Sequence, residues 1–220
     1  MTDREYRGLA TDRVSLLVRL LQLIIIGILL AGIRFGRLGV IVNAVIGLFV
    51  TQLPALFERR YEFTMNAGLV LWITVSMLFH AVGILPMPGV GVSKLYSSVW
   101  WWDHVTHTLS SSLVAEVGYA AARAIDVHTD AINLPPKFLF VYLFLFVMAI
   151  GVLWELLEFY VSLVSHRLGL RGILVQYGLT DTVLDLTYNM LGAVLVAILG
   201  SASLTDVSDE LAERLSARND

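Results

Sequence analysis

Seven ionisable side chains stand in three short stretches of an otherwise apolar chain: Asp103, His104 and His107 in "WDHVTH", Glu155 and Glu158 in "WELLEFY", and Asp181 and Asp185 in "DTVLDLTYN". Their spacing is helical. Asp103 and His107 are four apart, as are Asp181 and Asp185, with Asn189 four further on; Glu155 and Glu158 are three apart. Each set therefore projects from one face of its helix. Carboxylates with imidazoles suit Zn, Mn, Fe or Mg, and the metal ligands expected are Asp103, His107, Glu155, Glu158, Asp181 and Asp185. Glu155, Glu158 and His104 are the candidates for general base. The chain has no cysteine. That excludes disulfides, thiolate zinc sites and cysteine nucleophiles.

Each of these residues has a plainer reading beside the chemical one. Asp103 and Asp181 stand where helices start and suit N-caps. His104, or His80 in an earlier segment, suits a hydrogen-bonding role within its bundle. Ser110–Ser112 suit close helix packing better than nucleophilic chemistry. Glu116 lies deeper and stands apart from the set. The Glu-x-x-His pairs of di-iron carboxylate bundles are absent.

These stretches belong to a membrane protein. Of 220 residues, 57% are hydrophobic and 15% charged, and the mean hydropathy is +0.77. A soluble domain of this size cannot hide so much apolar surface. The net charge of −3 leaves no basic face for nucleic acid. Six segments approach the roughly 20 apolar residues that a bilayer demands: 14–33, 38–57, 67–86, 103–122, 136–163 and 181–200. The expected fold is an all-α bundle of about six transmembrane helices. Residues 1–202 form that single domain, and 203–220 form a short polar cytoplasmic tail. Residues 87–102 and 166–180 read as loops. The first apolar segment reads as a retained helix and not a signal peptide.

Basic residues orient the bundle. Arg4, Arg7, Arg13, Arg59, Arg60, Arg123, Lys137, Arg214 and Arg218 share one side; Arg34, Arg37, Lys94, Arg167 and Arg171 share the other. The bias places both termini in the cytoplasm of a multi-pass plasma-membrane protein. Trp100, Trp101 and Trp102 then sit at the outer interface, where such rings anchor.

Depth joins the three stretches. At 1.5 Å per residue, His107 and Asp185 each lie about 6 Å below the start of their helices, and Asn189 about 12 Å. The fifth segment rises to the same side, with Glu155 and Glu158 about 8–12 Å below its end, and His80 lies about 9 Å below the end of the third. The polar residues are expected in one layer of the outer half. An ionisable residue in a membrane helix costs about 2.5–3.5 kcal/mol on insertion scales. Five carboxylates against two histidines call for protonation or for one or two divalent cations.

Together with "QYGLTDTVLDLTYNMLGA", the three stretches resemble the YjdF-like family of inner-membrane proteins. The resemblance covers about the C-terminal two-thirds. It rests on Asp103 and His107, then Glu155 and Glu158, then Gln176, Gly178, Asp181, Asp185 and Gly192. A weaker similarity to VanZ-like proteins rests on Asp185, Asn189 and Gly192, with Glu158 departing from the glutamine expected there. The resemblance implies a fold and a site and does not imply an activity.

The function that follows is a membrane-embedded, metal-dependent enzyme acting on a lipid-linked or amphiphilic substrate at the outer leaflet, with membrane lipid as its surroundings. Two alternatives stay open. An ion or small-molecule transporter would need polar groups through the full thickness, and the inner half offers little beyond Glu116, Arg19, Asn43 and Gln52. A structural membrane partner would use the polar layer as a hydrogen-bond network. The sequence sets neither the metal nor the oligomeric state.

Overall fold

The computed structural model describes residues 3–61, 65–86, 93–128, 134–170, 174 and 176–203. Among the described residues there are seven helices and no strand: α1 (Asp3–Arg34), α2 (Leu38–Tyr61), α3 (Ala67–Gly83), α4 (Leu95–Ser98), α5 (Trp102–His128), α6 (Pro136–Arg167) and α7 (Leu179–Ser203). Four stretches are long and apolar enough to cross a membrane: Asp12–Arg34, Leu38–Arg60, Lys137–Arg167 and Leu179–Ile198. The 17 residues of α3 reach about 26 Å, a little less than a bilayer core. The 27 residues of α5 have the length, but Asp103, His104, His107, Glu116, Arg123 and Asp126 dilute its apolar character.

Helix ends differ from the hydropathy boundaries in a consistent way. α5 runs on to His128 and α6 to Arg167, because backbone hydrogen bonding does not stop where apolar residues do. α3 ends at Gly83, before Pro86, and α4 forms one turn inside the segment expected to be a loop. The polar tail expected at 203–220 lies, apart from Ser203, outside the described residues.

Two helices end on left-handed glycines. Gly36 has φ +62° and Gly169 has φ +70°. After α1, Arg37 N–H donates to Gly32 O at 2.8 Å and Gly36 N–H to Ile33 O at 3.2 Å. After α6, Leu170 N–H donates to Ser165 O at 2.9 Å and Gly169 N–H to His166 O at 3.2 Å. Both are Schellman caps, which only glycine enters without strain.

The chain divides into two compact units. The first comprises Met1–Thr106 and Tyr160–Val175, and the second His107–Phe159 and Gln176–Asp220. In the first, Ile25, Ile28, Val40, Ala44, Ala81 and Ile84 form the core of α1, α2 and α3. Two of its buried hydroxyls bond within their own helices, Thr51 Oγ1 to Leu48 O and Thr74 Oγ1 to Val70 O, each at 2.8 Å. Trp102 stacks on Phe79 with centroids 4.8 Å apart and donates its indole N–H to Phe79 O at 3.3 Å. Of the three tryptophans expected to anchor at the interface, Trp100 and Trp101 are exposed, whereas Trp102 ties the start of α5 to α3.

The second unit packs α5, α6 and α7 through glycines. A Cβ on Gly118 would meet Phe146 at 2.7 Å, and one on Gly151 would meet Asn189 Nδ2 at 2.8 Å. A Cβ on Gly192 would collide with Ser111 Oγ, with Thr108 O at 2.7 Å and with Ser112 N at 2.9 Å. Small residues let membrane helices approach this closely. The faces turned outward carry Phe140, Leu145, Leu153, Leu157, Val183 and Leu191. The buried set includes His107, Ser111, Ser112, Glu155, Asp185 and Asn189.

Candidate metal centre

Register brings the polar residues together. His107 Nδ1 lies 3.2 Å from Asn189 Oδ1, and Thr108 Oγ1 donates to Tyr188 O at 3.4 Å. Four residues along α5 and three along α7, Ser111 meets Gly192. The two helices therefore run in the same direction. α6 runs against both, since its earlier residues Leu143 and Phe146 meet Gly118, far along α5, while Gly151 meets Asn189. Gly151 faces Asn189, so one turn on along α6 and one turn back along α7 sets Glu155 level with Asp185. Counting from Gly118 against Leu143 and Phe146 sets His107 level with the same turn of α6. All four residues are buried: His107 is 8% exposed, Asp185 1%, Glu155 5% and Asn189 5%.

The donor spacing is one that could hold a cation. His107 Nε2 lies 3.6 Å from Asp185 Oδ1. A charge-assisted hydrogen bond between buried partners would close to about 2.7–2.9 Å. Two donors about 2.1 Å from one tetrahedral ion stand about 3.4 Å apart, close to the distance seen. Asp103 lies one turn before His107 on the same helix and is half-buried. Asp103, His107 and Asp185 each offer a ligand atom, and these atoms lie within 4.8 Å of one another. The three residues form a group that can bind a metal through one imidazole and two carboxylates, a donor set suited to Zn, Mn or Fe.

The remaining expected site residues have other placements. Asp181 Oδ2 accepts from Tyr177 N–H at 3.1 Å, which secures the start of α7, beside the Gln176 Nε2 to Thr182 Oγ1 bond at 2.9 Å. It is not in the group of three. Glu158 is half-buried one turn beyond Glu155. His104 meets Trp100 edge-on, with centroids 6.2 Å apart. His80, in the first unit, pairs through Nδ1 with Tyr96 Oη at 2.7 Å. Asp126, in the last turns of α5, pairs with Arg123 and accepts from Leu134 N–H at 2.6 Å. Ser111 and Ser112 donate to Thr108 O and Leu109 O of their own helix, in keeping with a packing role. Two hydrogen-bond partners of the histidines were not assigned by sequence reasoning. Asn189 carried the right spacing but no chemistry of its own, and Tyr96 stands in a segment with no helical signal.

An all-helical chain with apolar outer faces and a buried polar interior defines a membrane protein. The chain belongs to the family described as Predicted membrane protein (DUF2238), whose model matches residues 16–206. No curated protein and no solved structure matches it significantly.

Proposed function

We propose that this is a metal-dependent enzyme of the plasma membrane, acting on a lipid-linked or amphiphilic substrate at the outer leaflet. The single observation that carries the reading is the donor group of Asp103, His107 and Asp185, with His107 Nε2 and Asp185 Oδ1 at a separation suited to a shared ion. In the proposal all six long helices cross the membrane, both termini are cytoplasmic, and the chain is YjdF-like with a more distant VanZ-like kinship. Asp103, His107 and Asp185 would hold the ion, which would supply activation of water or polarisation of a phosphoryl or carbonyl oxygen. Glu155, level with Asp185 on α6, would serve as the general base. Glu158 and Asp181 stay as further candidate ligands, and Glu158 and His104 as further candidates for the general base.

Elemental analysis of protein purified in mild detergent without chelator tests this reading. About one divalent ion per chain is expected, falling below about a tenth in His107→Ala and Asp185→Asn. Metal-free wild-type protein whose stability ignores added Zn, Mn, Fe and Mg would overturn it. A structural reading is favoured by one observation, the cross-helix Thr108–Tyr188 and His107–Asn189 bonds. It predicts loss of stability in the same variants with no metal dependence. A transport reading predicts ion flux into liposomes.

A further inference from the structure

His107 is held at both ends by α7. Its Nδ1 lies 3.2 Å from Asn189 Oδ1 and its Nε2 3.6 Å from Asp185 Oδ1. The two α7 side chains are one helical turn apart, so the ring spans the rise between them. A neutral imidazole has one N–H and one lone pair, and an amide oxygen only accepts. With Oδ1 facing the ring, the proton belongs on Nδ1. The Nε2 lone pair of the neutral ring then faces a carboxylate oxygen, an arrangement that a shared cation or a second proton on the ring relieves.

The other end of the amide supports this orientation. Nδ2 of Asn189 points to α6 at Gly151, where a Cβ would come within 2.8 Å of it. Glycine there leaves the amide room to lie with its oxygen toward His107. Gly192, one turn below Asn189 on α7, lets α5 come close enough for the ring to reach α7. Sequence spacing alone would class Asn189 with Asp181 and Asp185 as a third ligand. Its geometry is different, because its oxygen is taken up by the nitrogen of His107 that faces away from Asp185.

We propose that Asn189 is a positioning residue that fixes His107 as the Nδ1–H tautomer and aims Nε2 at the ion shared with Asp185. The functional consequence rests on the metal reading above; the tautomer itself does not. A neutral acceptor suits this place. It orients the ring as a carboxylate would, without adding negative charge to an interior that already holds Asp103, Glu155 and Asp185. Partners of ligand histidines of this kind are worth about 10–100-fold in metal affinity.

The experiment is 15N NMR of histidine-labelled full-length protein in detergent micelles, stripped with chelator, at about pH 8.5 where imidazole is neutral. The His107 signals are assigned by their loss in His107→Gln. Wild type is expected to carry the proton on Nδ1. Asn189→Asp retains it there, since a carboxylate also accepts. Asn189→Leu moves it to Nε2, the form that unconstrained histidine favours. A wild-type proton on Nε2, or an Nδ1 proton unmoved in Asn189→Leu, would overturn the proposal. If Asn189→Leu fails to fold, Gly151→Ala, which presses on Nδ2, is the second variant, and an unchanged His107 spectrum in it counts against the proposal. Titration of the same samples with Zn2+ or Mn2+ separates the two claims. Weakening by about 10–100-fold in Asn189→Leu, with near-wild-type affinity in Asn189→Asp, supports both. A fixed Nδ1 proton with no metal binding by wild type upholds the positioning role and overturns the metal centre.

Discussion

The two compact units solve the problem of a membrane interior in different ways. The first unit buries Ile25, Ile28, Val40, Ala44, Ala81 and Ile84, and its buried Thr51 and Thr74 satisfy their hydroxyls within their own helices. The second buries His107, Glu155, Asp185 and Asn189 and binds across helices. Lipid is as apolar as leucine, so an apolar core in the first unit gains from packing and shape and little from the hydrophobic effect. Ionisable groups in the second carry an insertion cost of about 2.5–3.5 kcal/mol each. A chain that needed only a stable bundle could have used the first solution twice. The difference between the units thus sets the polar interior around His107 and Asp185 apart as the place where the proposed function is to be tested.

Substitutions that break this contrast rank by expected size. Gly192→Val should have the largest effect, since its side chain would run into Ser111 Oγ and the backbone of α5 at Thr108 and Ser112. A cost of more than about 3 kcal/mol is expected, read as loss of monodisperse protein in detergent. Ile25→Ala, in the fully buried heart of the first unit, should cost about 2–4 kcal/mol by thermal unfolding, with metal content of the folded fraction unchanged. Asp185→Asn should do the reverse. Wild type should gain about 2.7 kcal/mol of stability at metal concentrations a hundredfold above Kd, and the variant almost none. Tyr96→Phe, which removes the bond to His80 Nδ1, should cost about 1 kcal/mol and leave metal binding alone. If Ile25→Ala also emptied the site, or Asp185→Asn left the metal response intact, the division of labour between the units would fail.

Much of this could be read from the chain. Apolar runs located α1, α2, α3 and α6, because bilayer thickness sets a length that composition reports directly, while α5 and α7 were marked by the helical spacing of their polar residues. The i, i+4 spacing put Asp103 with His107, and Asp185 with Asn189, on shared faces. Counting residues from helix starts set His107 and Asp185 at one depth, and they lie 3.6 Å apart. Spacing could not tell Asp181 from Asp185. Asp181 has the same residue type and face as Asp185, yet its carboxylate goes to Tyr177 N–H, a local bond decided by the turn before α7. Trp102 has the same sequence signature as Trp100, yet it stacks on Phe79 because α3 happens to pass there. The glycines at 118, 151 and 192 are ordinary in the sequence; their importance exists only where a second helix touches them.

The most direct test of the metal centre is X-ray absorption at the edge of the ion bound by purified protein. The account predicts one imidazole nitrogen at about 2.0–2.1 Å with the remaining donors oxygen, and loss of the imidazole signal in His107→Ala with His80→Ala unchanged. A spectrum without imidazole, or one that His107→Ala leaves intact, would contradict it.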